Sequence, residues 1–181
     1  MPRFSRRLTR KNIDQVLRRY VESASRVGAS VAGLRGLPLL DALKRTATRA
    51  GPYRKVSIFE AANRIMSDLV ILYGVRCLLR TNVFPFTLYR IDYGHHNKQA
   101  HDIMASARSR SLFGEAFNVA PTFFQTKKTA TLKKLRKAQA DYKLVVFNHD
   151  AIDARYAPQP RKNEYFVVVN IKTKRCQIFS G

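Results

Sequence analysis

Helical periodicity marks two long segments of the chain. Over residues 58–80, apolar side chains recur at three- and four-residue intervals, which predicts a helix with a broad buried stripe. Ser57 and Glu60 form a capping box at its start. Leucines recur between lysines over residues 123–139, so a second helix is predicted after Pro121.

Strand-like patterns fill much of the remaining chain. The apolar segments 100–106 and 112–120 are separated by a short basic connection, which predicts an antiparallel pair. A near-continuous apolar run at 141–148 is typical of a buried central strand. The other predicted strands are 84–92, 164–171 and 175–179. The mixture of helices and strands predicts the α/β (α+β) fold class.

The first 55 residues have a helical pattern of their own. Apolar positions from Ile13 to Val21 predict an amphipathic helix, and a shorter helix is predicted over residues 39–48. We therefore divide the chain into a basic helical extension at 1–55 and an α/β domain at 56–181. The extension is expected either to pack on the domain or to lie along a phosphate backbone.

The charge of the chain indicates its partner. Lys and Arg number 34 against 12 Asp and Glu, a formal net charge of +22. Nucleic acid is the expected partner, because each Lys or Arg placed on a phosphate releases a counterion. The predicted contacts are Arg6, Arg7, Arg18, Arg19, Arg108, Arg110, Lys133, Lys134, Arg136 and Lys137.

The sequence also supports expectations about membrane contact, cysteine chemistry, location and assembly. No apolar run reaches the roughly 18 residues of a membrane span, so we expect no membrane partner. Cys77 and Cys176 lie far apart and predict neither a metal knuckle nor a disulfide framework. A cytoplasmic location is expected, associated with the nucleoid if the source is bacterial, and a homodimer is left open.

Two acids stand out in the middle of this basic chain. Asp102 lies near the beginning of one strand of the predicted antiparallel pair, and Glu115 lies within the other. Pairing of the strands would bring the carboxylates close together, and a divalent cation would offset their mutual repulsion. The alternative is structural: Asp102 caps the strand and Glu115 pairs with Arg108 or Arg110.

Over about residues 57–148 the predicted elements follow the order helix, three strands, helix, strand. Acids lie on the first helix and on two of the strands. This arrangement resembles the PD-(D/E)XK nuclease superfamily. The resemblance implies a restriction-endonuclease-like core, a mixed central sheet flanked by helices, and Mg²⁺ (or Mn²⁺) held by Asp102 and Glu115. Glu60 would match the acid often found on the first helix, with capping as its alternative role. The implied function is a metal-dependent DNA endonuclease.

The motif departs from the family at one position. Phe117 stands where the family has a lysine. Some members carry that lysine on the following helix, and Lys127 and Lys128 are the candidates here. A domain without this lysine would be a non-catalytic nucleic-acid-binding protein on a degenerate nuclease fold.

Three further alternatives remain open on the sequence. A basic RNA-binding protein fits the charge. His95, His96 and His101 have a spacing that could bind zinc, although no cysteine supports it. A His-Asn-His nuclease using His101, Asn118 and His149 is also conceivable, but the order of elements does not suit it.

Overall fold

The computed structural model describes residues 4–94, 101–153 and 155–181, apart from the side chain of Ser30. Within these ranges the α-helices are α1 (Ile13–Ala24), α2 (Gly36–Arg45), α3 (Ile58–Thr81) and α4 (Pro121–Lys137). Helix α2 begins earlier than predicted because Pro38 lies in its first turn, where a missing N–H costs nothing.

Among the described residues, seven strands form one sheet in which the spatial order follows the sequence order. The strand β2 (Tyr89–Ile91) is much shorter than the predicted 84–92, because Pro85 lacks the N–H that a ladder requires. Phe84 and Phe86 are nevertheless buried in the core. The strands are β1 (Arg7–Leu8), β2 (Tyr89–Ile91), β3 (Ile103–Ala107), β4 (Arg110–Phe117), β5 (Tyr142–Asn148), β6 (Glu164–Asn170) and β7 (Arg175–Ser180).

The sheet is mixed and has helices on both faces, as an α/β fold requires. Strands β4, β5 and β6 are parallel, and every other neighbouring pair is antiparallel. Leu144 and Val146 of β5 pack in the core that contains α3, whereas Val145 and Phe147 pack with residues of α4. The chain thus runs α3, β2, β3, β4, α4, β5, in the predicted order.

The N-terminal segment is built into the same core as the remaining chain. Leu8 of β1 and Ile13, Leu17 and Tyr20 of α1 are buried in the cluster that includes the apolar face of α3. Strand β1 also pairs with β2. Of the two arrangements expected for residues 1–55, the described part adopts packing on the α/β domain.

A buried carboxylate holds this segment in place. Asp68 of α3 is fully buried and accepts hydrogen bonds from the hydroxyls of Tyr20, at 2.5 Å, and Tyr53. The backbone N–H of Gly94, after β2, donates a third at 3.0 Å. Burial and the charge of Asp68 raise the pKa of both tyrosines far above the ordinary value, so both remain protonated donors.

A disulfide joins Cys77 of α3 to Cys176 of β7 across 99 residues of sequence. The expectation that the chain has no disulfide is therefore wrong. Spacing alone does not reveal the pair, because the two residues meet only after β7 has paired with β6 at the edge of the sheet.

Candidate active site

Asp102 and Glu115 lie on neighbouring strands. Asp102 immediately precedes β3, and β3 pairs with β4 so that Ile103 lies opposite Gly114. One further step along each strand places Asp102 opposite Glu115. Asp102 Oδ2 accepts a hydrogen bond of 2.8 Å from the backbone N–H of Ala116. The structure thus brings these two acids together.

Glu115 faces the layer that contains α4. Along β4, Leu112 and Ala116 belong to the core that includes α3, whereas Phe117 packs against Phe124 of α4. Glu115 lies two residues before Phe117 and therefore points to the same face. Its side chain is only 13% exposed. A carboxylate in such a place needs polar or charged partners.

Two basic side chains supply those partners. His101 Nδ1 lies 2.6 Å and Lys134 Nζ lies 2.7 Å from Glu115 Oε1. The His101 ring is stacked on Phe113, with the ring centroids 4.6 Å apart, which fixes its orientation. Within the described part of the chain, Glu115 Oε2 has no hydrogen bond or ion pair.

The lysine that reaches Glu115 is Lys134, which the sequence suggests only as a nucleic-acid contact. Lys127 is exposed on α4. The ammonium of Lys128 lies 3.1 Å from the hydroxyl of Tyr156 and 4.9 Å from the centroid of its ring. The catalytic role suggested for Lys127 and Lys128 stays a prediction, and Lys134 is the better placed candidate.

Glu60 lies at the exposed start of α3 and has local partners. Its backbone N–H donates to Ser57 Oγ at 3.1 Å, as the capping box predicts. Its carboxylate is 2.5 Å from Arg64, one turn further along the helix. Neither Asp102 nor Glu115 is among the contacts of Glu60. The Ser57 side of the capping box is therefore formed, and a metal-binding role for Glu60 stays a prediction.

The carboxylate oxygens of Asp102 and Glu115 determine which metal ion these two residues suit. Among the described residues, no three His, Cys, Asp or Glu side chains are grouped as a metal site would need. Mg²⁺ commonly uses one or two carboxylates and completes its shell with water and substrate phosphate. Asp102 and Glu115 therefore fit Mg²⁺ or Mn²⁺, but not a site made wholly of protein ligands. His95 and His96, suggested for zinc, lie outside the described residues.

Arg136, a suggested nucleic-acid contact, is held by an acid. Its Nε and Nη2 atoms lie 2.6 and 3.1 Å from the two carboxylate oxygens of Glu164. Burial acts to raise the pKa of Glu164, but hydrogen bonds from Arg136 and the Arg161 N–H outweigh it. The pKa therefore lies below its usual range. This pair fastens α4 to the start of β6.

The other predicted nucleic-acid contacts are mainly on the surface. Arg6 pairs with Asp92 at 3.1 Å. Arg110 donates a hydrogen bond to Tyr142 OH and lies over its ring. Exposed positions are occupied by Arg7, Arg18, Arg19, Arg108, Lys133 and Lys137.

Comparison of the chain with protein-family models finds no match, and comparison with curated proteins finds none either. In the described ranges, each helix is too short or too polar to cross a membrane. The candidate site therefore rests on its own geometry.

Proposed function

We propose that this protein is a metal-dependent DNA endonuclease that hydrolyses phosphodiester bonds at Asp102 and Glu115. The observation that carries the proposal is the register that places Asp102 opposite Glu115, together with the ion pair in which Lys134 Nζ lies 2.7 Å from Glu115 Oε1. The net charge of +22 supports a polyanionic substrate.

The order of elements supports the same proposal. Two strands carry the acids, and the helix that follows them carries the lysine. This arrangement is what a PD-(D/E)XK nuclease with a relocated lysine is expected to have. The restriction-endonuclease-like topology and membership of that superfamily are part of the proposal.

Each residue has a role that follows from its position. Asp102 and Glu115 would hold Mg²⁺ or Mn²⁺, which when bound would activate water and offset charge on the phosphate. Lys134 places an ammonium group where it can donate a hydrogen bond to a phosphate oxygen. His101 holds the Glu115 carboxylate in one orientation through Nδ1. Phe117 cannot contribute, because its side chain is buried.

Phe117 also supports a second candidate, a non-catalytic nucleic-acid-binding protein. Its ring packs with Phe124 and Phe147, so the position where the family has a lysine is part of the core. If Lys134 does not replace that lysine in function, binding would remain without cleavage. An RNA-binding protein is a variant of this candidate, and RNA probes address it.

The proposal is tested by incubating supercoiled plasmid with the protein in Mg²⁺ or Mn²⁺. We expect nicking or linearisation by the wild type, none in EDTA, and a loss of at least 100-fold in Asp102→Ala and in Glu115→Ala. Asp41→Ala is the matched control, because Asp41 is exposed on α2 and is paired with Arg45 rather than with a residue of the candidate site.

Three outcomes separate the candidates. Cleavage that persists in both site variants would remove this site from the reaction. Tight DNA binding without cleavage in either metal would favour the non-catalytic protein. Tighter binding to RNA than to DNA would favour the RNA-binding alternative.

A cytoplasmic, nucleoid-associated location and a homodimer stay predictions. The Cys77–Cys176 disulfide does not favour a reducing compartment.

A further inference from the structure

In the described part of the chain, no helix packs closely on β1, β2 or β3 on the side of the sheet that carries Glu115. On that side α4 packs on β4 and β5. Towards the β1 edge, Leu8 and Tyr89 point into the core that contains α3. The residues next to them, Arg7 and Arg90, therefore point to the other face, and both are exposed.

The side chains on this face form a row that leads to the candidate site. Arg7 lies opposite Arg90, Arg90 opposite Met104, and Met104 opposite Phe113. Neighbouring strands lie about 4.8 Å apart, so the row spans roughly 15 Å. Phe113 carries the stacked ring of His101, which contacts Glu115. The row thus ends against the acid.

The pairing of Arg7 with Arg90 is unfavourable for the protein alone. Like charges directly opposite one another on neighbouring strands repel. In the described part of the chain neither guanidinium has an acidic partner, whereas the adjacent Arg6 is paired with Asp92. An anion placed between the two guanidinium groups would turn this repulsion into attraction.

The backbone around this pair is fixed. The carbonyl oxygen of Arg7 accepts hydrogen bonds from Ser5 Oγ at 2.8 Å and Asn12 Nδ2 at 2.9 Å. Arg90 lies between two strands with which it is in register. Both guanidinium groups are therefore presented from ordered backbone, so phosphate binding would have to order the two side chains but not the chain that carries them.

From these observations we infer that Arg7 and Arg90 bind the phosphate backbone of one nucleic-acid strand and direct it along β2 and β3 to Glu115. The inference rests on the proposed function only in placing the scissile phosphate at Glu115. The phosphate contacts themselves require neither metal nor cleavage. Arg90 is a positioning residue that the sequence does not single out.

The experiment measures binding in EDTA, so cleavage does not enter. Fluorescently labelled duplex and single-stranded DNA are titrated by anisotropy at several salt concentrations with the wild type and Arg7→Gln/Arg90→Gln. The double variant should bind at least tenfold more weakly. Its slope of log K against log salt on duplex should fall by about 1.8, since each phosphate contact contributes about 0.9.

A matched control removes two positive charges near the opposite edge of the sheet. Lys162 and Arg175 are exposed beside β6 and β7, and β7 is the edge opposite β1. Lys162→Gln/Arg175→Gln should leave the slope unchanged and weaken binding less than threefold. Arg7→Lys/Arg90→Lys keeps both charges and should restore most of the slope. Circular dichroism confirms that each variant is folded.

The inference would be overturned if Arg7→Gln/Arg90→Gln and Lys162→Gln/Arg175→Gln weakened DNA binding equally. It would also be overturned if the salt slope of Arg7→Gln/Arg90→Gln were unchanged. Should that double variant not fold, Arg90→Gln alone should lower the slope by about 0.9, and an unchanged slope would have the same meaning. A wild type that binds as expected but does not cleave would remove the endonuclease and leave this surface in place.

Discussion

Replacing Lys134 with alanine should slow cleavage far more than it weakens binding. The ammonium lies 2.7 Å from Glu115 Oε1, and the proposed mechanism uses it there as a hydrogen-bond donor to the phosphate. Loss of one such preorganised donor typically lowers kcat by about 10²–10³, or about 2.7–4 kcal/mol. The Lys134 side chain is 40% exposed, and water screens part of its effect. We therefore expect a loss near the lower end, about 100-fold.

The same variant should bind and fold almost normally. One lost phosphate contact lowers the salt slope on duplex by at most about 0.9. A partly exposed ion pair contributes about 0–1 kcal/mol to stability, so the unfolding midpoint should move by only a few degrees. A defect in chemistry can thus be told apart from a defect in binding or folding.

Single-turnover cleavage of a labelled duplex by saturating protein gives the chemical rate directly. Lys127→Ala and Lys128→Ala are the matched controls, since both residues lie on the same helix and neither is in contact with Glu115. Wild-type rates in Lys134→Ala, or a larger loss in Lys127→Ala or Lys128→Ala, would refute the role given to Lys134.

Three further predictions concern stability. Tyr20→Phe should lower the free energy of unfolding by about 1.5–3 kcal/mol in urea titrations, because the fully buried Asp68 loses a charged hydrogen bond; a change under 0.5 kcal/mol would contradict this. Glu164 has a lowered pKa in the folded state. It therefore stabilises the fold above its unfolded pKa of about 4.3, and this contribution is lost as pH falls through the lower, folded value. The stability advantage of wild type over Glu164→Gln should thus shrink between about pH 6 and pH 3, and a constant difference would count against the ion pair with Arg136. Gly74→Ala should lower the unfolding midpoint despite better helix propensity, because a Cβ there would lie 2.6 Å from a buried valine methyl on β5; an unchanged or higher midpoint would show that the helix can shift.

The features that the sequence predicts correctly follow from patterns among residues that are close together in the chain. The long helix α3 follows from its apolar spacing and capping box, and the antiparallel pair β3–β4 follows from two apolar runs with a short connection. The proximity of Asp102 and Glu115 follows from that pairing. Strand β2 shows where such reasoning fails, since the apolar alternation over residues 84–92 continues through Pro85, which cannot donate to a ladder.

Lys134 and Arg90 show what local patterns leave undecided. Lys127 and Lys134 are seven residues apart and lie on nearly the same stripe of α4. Which of them reaches Glu115 depends on how far along β4 the helix packs, and no spacing in the chain encodes that distance. Arg90 is an ordinary exposed residue until β1 pairs with β2 and places Arg7 opposite it.

The sequence by itself determined the mixed α/β class, the positions of α3 and α4, the paired strands that carry the two acids, and the excess of positive charge. Periodicity, capping and composition are local properties, so they can be read directly from neighbouring residues. Only the tertiary structure decided that the N-terminal segment completes the core around Asp68 and that Cys77 meets Cys176. It also decided which lysine contacts Glu115. These features join residues far apart in the chain, and only the packing of helices on the sheet determines their distances.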